Sequence, residues 1–298
     1  MGELDKYIDR VKHLPPAPRL LPQLLTLLRQ TDIDVSKVVE VITFDQSLTA
    51  NVLKMCNSVY IGAASAADSL DEAITRLGFE NVYCLVAAVS AGRVMSPALR
   101  GYDLDEVELW KHSVATALAA QLLARDKGDD EAVAFTAGLL HDVGKVILPQ
   151  ALEHTYSLVL AESRSSQSSL LETETKLLGV NHAEIGARLL ERWEFPANLI
   201  AAVGFHHQPA GASPHDRLAA CVYLGNMIAH FLGYGYGHHA FGFCGRAESL
   251  KLLQITRSDF ARYTMQTNES FLAVENLFTI KVDHARVTTQ RKSTAELL

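Results

Sequence analysis

Apolar residues recur along most of the chain at spacings of three and four, and no useful stretch alternates with the period of two that a half-buried strand requires. The pattern predicts an all-α protein. Its first part reads as short amphipathic helices, punctuated at the start by Pro15, Pro16, Pro18 and Pro22. One helix is predicted over residues 22–29 and a second after Asp34, with Val35, Val38, Val39 and Ile42 on one face. A third runs through Leu48, Val52, Met55 and Cys56. Ser69-Leu70-Asp71-Glu72 reads as a capping box, Ala73, Ile74 and Leu77 as the buried stripe behind it, and Gly78 as its stop. A further helix follows over about 81–94.

Residues 96–105, which hold Pro97 and Gly101, form the best internal boundary. Beyond it the predicted helices lengthen, over 109–124, 131–140, 170–178, 183–193 and 196–206, with the polar stretch 163–169 expected as an exposed loop. Residues 233–245 are glycine-rich and the most irregular, and one or two more helices precede a polar tail from about Asp283. No internal repeat is present. The expected division is therefore a helical lobe over 1–98, a second over 99–232 and a C-terminal segment over 233–298.

Composition narrows the function classes. At 48% hydrophobic and 20% charged the chain suits a globular protein with a substantial core, and aromatics at 7% favour helix over strand. A net charge of −7 and a pI near 5.9 leave no basic footprint for a phosphate backbone, so nucleic acid is not an expected partner. A small anion held at a local site stays open. The N-terminus lacks the layout of a signal peptide, and no apolar run is expected to approach the roughly 20 residues that span a bilayer. Cys56, Cys84, Cys221 and Cys244 are far apart with no CxxC pair, as in a reduced, cytoplasmic protein without membrane attachment.

Histidine is the outlier, because ten of the twelve lie between His112 and His239. The pivotal segment is Gly138-Leu139-Leu140-His141-Asp142-Val143-Gly144-Lys145. An apolar helix there delivers an imidazole and a carboxylate side by side, and Gly144 is expected to break it. Adjacent helical residues point about 100° apart, so both reach one ion only near the backbone at the helix end. Alone, the dipeptide equally describes a structural histidine beside a cap-like aspartate. His112 lies 29 residues upstream, His182 follows 40 residues after Asp142, and His206-His207 closes a helix 24 residues later. Imidazole suits borderline transition metals, a carboxylate can bridge two ions, and five histidines with one aspartate exceed what a single tetrahedral ion needs.

His13, His154, His215, His230 and His284 have no such spacing and read as surface or hydrogen-bonded core, and His238-His239 as part of a flexible surface loop. Gly233-Tyr234-Gly235-Tyr236-Gly237 follows no strand and precedes no phosphate-binding lysine, so it fails as a nucleotide cradle.

Taken together, several motifs resemble the HDOD (HD-related output domain) family over roughly residues 10–230: Leu14-Pro15-Pro16, Asn57-Ser58, Ala73 to Gly78, Leu109-Trp110-Lys111-His112-Ser113, Gly138 to Lys145, Leu178 to Ala183 and Arg192 to Pro196. The resemblance implies an N-terminal helical lobe packed on an HD-superfamily lobe, and a regulatory role in which many members lack metal ligands. The histidines are also similar to those of HD-GYP phosphodiesterases, which bind two or three metals, commonly iron. By order and motif that likeness implies metal ligation by His112, His141, Asp142, His182, His206 and His207, with Glu108, one turn before His112, as a further ligand. It also gives Lys145 the place of a lysine that contacts substrate phosphate.

Two departures weigh against catalysis. Asn226 stands where the likeness implies a distal metal-binding aspartate, and an amide oxygen is a weaker ligand than a carboxylate. Gln208-Pro209-Ala210-Gly211-Ala212-Ser213-Pro214 replaces the Gly-Tyr-Pro loop that helps recognise cyclic di-GMP. The reading is thus a signalling protein that works through a protein partner and binds two transition-metal ions, iron first, with manganese, zinc or nickel as alternatives. The rival is a metal-dependent phosphohydrolase or phosphodiesterase, with Asp142 and Lys145 as its catalytic residues and a phosphate-containing ligand beside Lys145. A third reading makes the metals a redox or oxygen sensor.

Overall fold

Several of the helices start where the chain supplies a capping side chain. The computed structural model describes residues 4–11, 18, 20–28, 30, 34–43, 45–57, 67, 69–152, 156–166, 168–234 and 247–278. Helices α1 (Asp5–Ile8), α2 (Leu20–Leu28), α3 (Val35–Thr43), α4 (Gln46–Cys56), α5 (Leu70–Leu77) and α6 (Phe79–Met95) precede a 3-10 turn at Arg100–Tyr102. Then come α7 (Glu108–Lys127), α8 (Glu131–Leu140), α9 (Gly144–Leu152), α10 (Tyr156–Ser166), α11 (Leu170–Leu178), α12 (His182–Arg192) and α13 (Ala197–Gly204). A second 3-10 turn at Pro209–Ala212 leads into α14 (Asp216–Phe231), and α15 (Ala247–Leu252) and α16 (Arg257–Phe278) follow. Among the described residues there is no strand, only the isolated bridge between Leu99 and Leu104. The all-α expectation is met.

The caps explain the boundaries. Ser69 accepts from the Glu72 N–H at the start of α5, and Asp130 accepts from the Val133 N–H at the start of α8. Complete capping boxes open α11 at Ser169–Glu172 and α12 at Asn181–Glu184. The second of these fixes His182 as the first residue of its helix. One expectation needs correction: α10 continues through Ser166, so most of the polar stretch 163–169 is helix. The hydroxyls of Ser165 and Ser166 donate back to the Glu162 carbonyl, which satisfies them without leaving the helix. A second correction concerns Gly144, which opens α9 and does not end α8; α8 stops at Leu140, and residues 141–143 form the turn between them.

A third correction concerns length. Glu131–Leu152 is apolar enough to cross a membrane by composition, against the expectation that no stretch comes close. The fold buries 89% of its most apolar window, and the turn at 141–143 interrupts it.

One buried apolar cluster runs from Tyr7 and Leu21 through Val86, Leu109 and Phe135 to Leu199, so the helices before and after residues 96–105 share one core. Helix α7 packs most extensively on α14 and α8. Helix α1 packs on α9 and α12, where the buried Asp5 carboxylate pairs with Arg188 at 2.8 Å and Arg192 at 2.7 Å. Helix α16 lies against α7 and α14. Cys56, Cys84 and Cys221 are free thiols. Leu14-Pro15-Pro16, Ser58, His13, His154, His238, His239, Cys244, His284 and the glycine-rich stretch beyond Tyr234 lie outside the described residues.

Candidate metal centre

Two helices and two turns deliver a buried polar cluster. His112 comes from the first turns of α7, His141 and Asp142 from the turn after α8, His182 from the start of α12, and His206 and His207 from just beyond α13. All six converge. The Asp142 carboxylate is buried at their centre, and its two oxygens face different imidazoles. Oδ2 lies 3.5 Å from His112 Nε2 and 3.3 Å from His141 Nε2, while Oδ1 lies 3.4 Å from His182 Nε2 and 3.8 Å from His206 Nε2. His182 Nε2 and His207 Nε2 are 2.9 Å apart. The donor atoms thus form two groups, one of His112, His141 and Asp142 and one of His182, His206 and His207.

The outward nitrogens are committed to acceptors. His112 Nδ1 meets the Tyr234 carbonyl at 3.1 Å, His141 Nδ1 the Gly138 carbonyl at 2.7 Å, and His206 Nδ1 the Val203 carbonyl at 2.7 Å. His182 Nδ1 meets Glu174 Oε2 at 2.6 Å. A carbonyl or carboxylate only accepts, so each of these rings donates from Nδ1, and whenever the ring is neutral its Nε2 lone pair faces inward. Among the described residues, His112 Nε2, His141 Nε2, His206 Nε2 and Asp142 Oδ1 are buried without a hydrogen-bond partner. Each such atom costs about 1–3 kcal/mol if nothing answers it. Lone pairs gathered around a buried carboxylate are the donor set that a borderline transition metal takes.

The local electrostatics point the same way. Burial, reinforced by the neighbouring imidazoles, holds His112, His206 and His207 well below the ordinary histidine range, so they are neutral at pH 7. Burial alone would raise Asp142, but His141 and Lys145 outweigh it and hold its carboxyl well below the usual range. Lys145 Nζ sits 2.6 Å from Asp142 Oδ2.

The flanking candidates divide. Asn226 is buried on α14 and its Oδ1 has no hydrogen-bond partner among the described residues. Glu108 is turned to the start of α7, where its carboxylate accepts the Asp105 N–H at 2.8 Å. The i, i+4 spacing to His112 holds, but Glu108 is the first residue of the helix, and a carboxylate there serves the unpaired N–H groups of that end.

Two features escaped the sequence. The first is Glu174, fully buried on α11, whose Oε2 accepts the His182 backbone N–H at 2.8 Å as well as Nδ1. Its Oε1 accepts the Tyr102 hydroxyl at 2.7 Å and the Tyr156 hydroxyl. An acid on the buried side of an amphipathic helix was the available signal. The second is His230, whose ring centroid lies 4.6 Å from that of His112. It follows Asn226 by one helical turn, the spacing that would have flagged it. Glu174 orients His182, so Glu174→Gln is expected to weaken metal binding by about 10–100-fold while the helical content stays unchanged. A competition titration against a chromophoric chelator measures this, and an unchanged affinity would refute the orienting role.

A model of the HDOD domain matches residues 14–209, more than half of the chain. The chain belongs to the HDOD family. Among similar proteins, an uncharacterized protein of Treponema pallidum (strain Nichols) is 30% identical over 228 residues, which is 75% of this HDOD chain and 44% of the relative. The chain therefore spans less than half the length of that relative. A protein named Ribonuclease Y 1 from Pediococcus pentosaceus is 30% identical over 118 residues, 40% of this chain and 17% of its own length. The crystal structure of an HDOD domain protein of unknown function from Geobacter sulfurreducens superimposes with a TM-score of 0.72 at 23% identity, covering 93% of this chain and 97% of that one. That likeness carries the HDOD fold and nothing finer.

Proposed function

We propose that this HDOD protein is a signalling module whose second lobe holds two transition-metal ions and which acts through a partner protein. The observation that carries the metal reading is the Asp142 carboxylate, with two imidazoles facing each of its oxygens. His112 and His141 would hold one ion, His182, His206 and His207 the other, and Asp142 both. The shell is imidazole-rich and thiolate-free, which suits iron, with zinc, nickel or manganese as competitors. Bound there, the ions would supply positive charge for a phosphate-containing ligand, and iron would add a redox-sensitive centre. Lys145 would shift from Asp142 toward such a ligand as the ions take over the carboxylate.

Signalling is favoured over turnover by Asn226, a neutral amide where an anionic ligand would hold and activate the second ion better. The compact turn at Pro209–Ala212 offers little of a substrate-recognition loop. The alternative is a metal-dependent phosphodiesterase, and the likeness to a protein named Ribonuclease Y 1 is what favours it. A phosphoester screen with iron, manganese or zinc supplied separates the two readings. We expect negligible turnover, cyclic di-GMP included, and Asn226→Asp should raise metal affinity about tenfold before it raises any rate. Steady-state turnover that disappears in Asp142→Ala would promote the phosphodiesterase.

A further inference from the structure

Helix α14 makes the largest contact with α7, and Gly225 lets the two backbones close up. A Cβ at Gly225 would stand 2.7 Å from the Thr116 carbonyl oxygen and 3.1 Å from the Ala120 backbone nitrogen, so no side chain fits there without moving a helix. Asn226 and His230 follow at i and i+4 and share a face of α14. Asn226 is buried with an unpartnered Oδ1, and the His230 ring lies 4.6 Å, centroid to centroid, from His112 at an interplanar angle of 48°. The Gly225 contact thus holds together the two helices that carry these neighbouring imidazoles.

We infer that His230 is a ligand of the ion on the His112 side, supplying with the Asn226 amide oxygen the donors that a distal carboxylate would otherwise give. The inference rests on the metal reading proposed above and deepens it. Carboxylate is scarce in the cluster: Asp142 is central, and Glu174 is spent on His182 and two tyrosines. A further donor on α14 that is a neutral imidazole gives this subsite nitrogen character, which favours iron, nickel or zinc over magnesium or manganese.

The test compares the whole protein with His230→Gln and His230→Asp, using Co(II) absorption and chelator competition, with His215→Gln at the α14 N-terminus as control. Wild type and the His215 variant should take two ions. His230→Gln should weaken the ion on the His112 side by at least about tenfold, His230→Asp should recover it, and the preference for zinc over manganese should narrow in the aspartate variant. Two ions bound with wild-type affinities by a folded His230→Gln protein would overturn this inference and leave the proposed function standing. A wild type that takes up no ion would overturn both. Should His230→Gln fail to fold, carbethoxylation of wild-type protein decides: metal loading should protect His230 from diethyl pyrocarbonate, and equal modification with and without metal would overturn the inference.

Discussion

Asp142→Asn is expected to lower metal affinity by at least about 100-fold, or about 2.7 kcal/mol, while leaving the metal-free fold close to its original stability. The first effect follows from position. Four imidazole Nε2 atoms lie between 3.3 and 3.8 Å from this carboxylate, which is the one anion central to both groups of donors. Asparagine keeps the shape and removes the charge. Two cations would then meet neutral donors with the Lys145 ammonium still alongside. The second effect follows from the partners left behind. An amide NH2 can donate to the inward lone pairs of the histidines, and the Lys145 side chain, 16% exposed, can turn toward water. Metal content by mass spectrometry together with thermal unfolding of the apo protein checks both halves. A variant that keeps its metal, or one that loses metal because it no longer folds, would count against this account.

Gly144→Ala should be the most damaging alanine substitution among the described glycines. An added Cβ would lie 1.9 Å from the His182 carbonyl oxygen, 2.8 Å from the Gly186 nitrogen and 2.9 Å from the His182 carbonyl carbon. All three are backbone atoms of α12, so no side-chain rotation relieves the contact, and α9 must move away from α12. Overpacking of this kind costs about 3 kcal/mol or more, roughly 6–10 °C in melting temperature for a chain of this size. The same movement separates His182 from Asp142, so metal affinity should fall with stability. Alanine at the exposed Gly179, which ends α11 at a φ of 71° with nothing near its Cβ, is the contrast. It should cost only the strain of a left-handed backbone, about 1 kcal/mol, and spare the site. Equal losses at the two positions would contradict the packing argument.

Much of this was legible in the chain because the relevant signals are local. The cap at Ser69 and the apolar spacing within each helix set elements of the fold, and the order of the histidines named residues that converge. What stayed hidden depends on partners far away in sequence. Glu174 sits between Glu172 and Lys176 and reads as one more surface charge, yet Tyr102 and Tyr156 arrive from elsewhere to bury it. His230 shares a face with Asn226 one helical turn away, but its closeness to His112 depends on how closely α14 approaches α7, which Gly225 sets. Glu108 misled for the opposite reason. Spacing placed it beside His112, but the helix begins at that residue and its carboxylate serves the helix end. The serine-rich stretch at 163–169 looked like a loop because serine favours loops, while the hydroxyls found acceptors inside α10.

Two ions sharing the Asp142 carboxylate should be visible by anomalous X-ray scattering from crystals of the metal-loaded protein. Two anomalous peaks are expected, one on each side of Asp142, with imidazole nitrogens about 2.0–2.2 Å from each and Lys145 displaced from the carboxylate. A metal-loaded crystal with no peak between His112, His141, His182 and Asp142, and ordered water in hydrogen bonds with their Nε2 atoms instead, would contradict it.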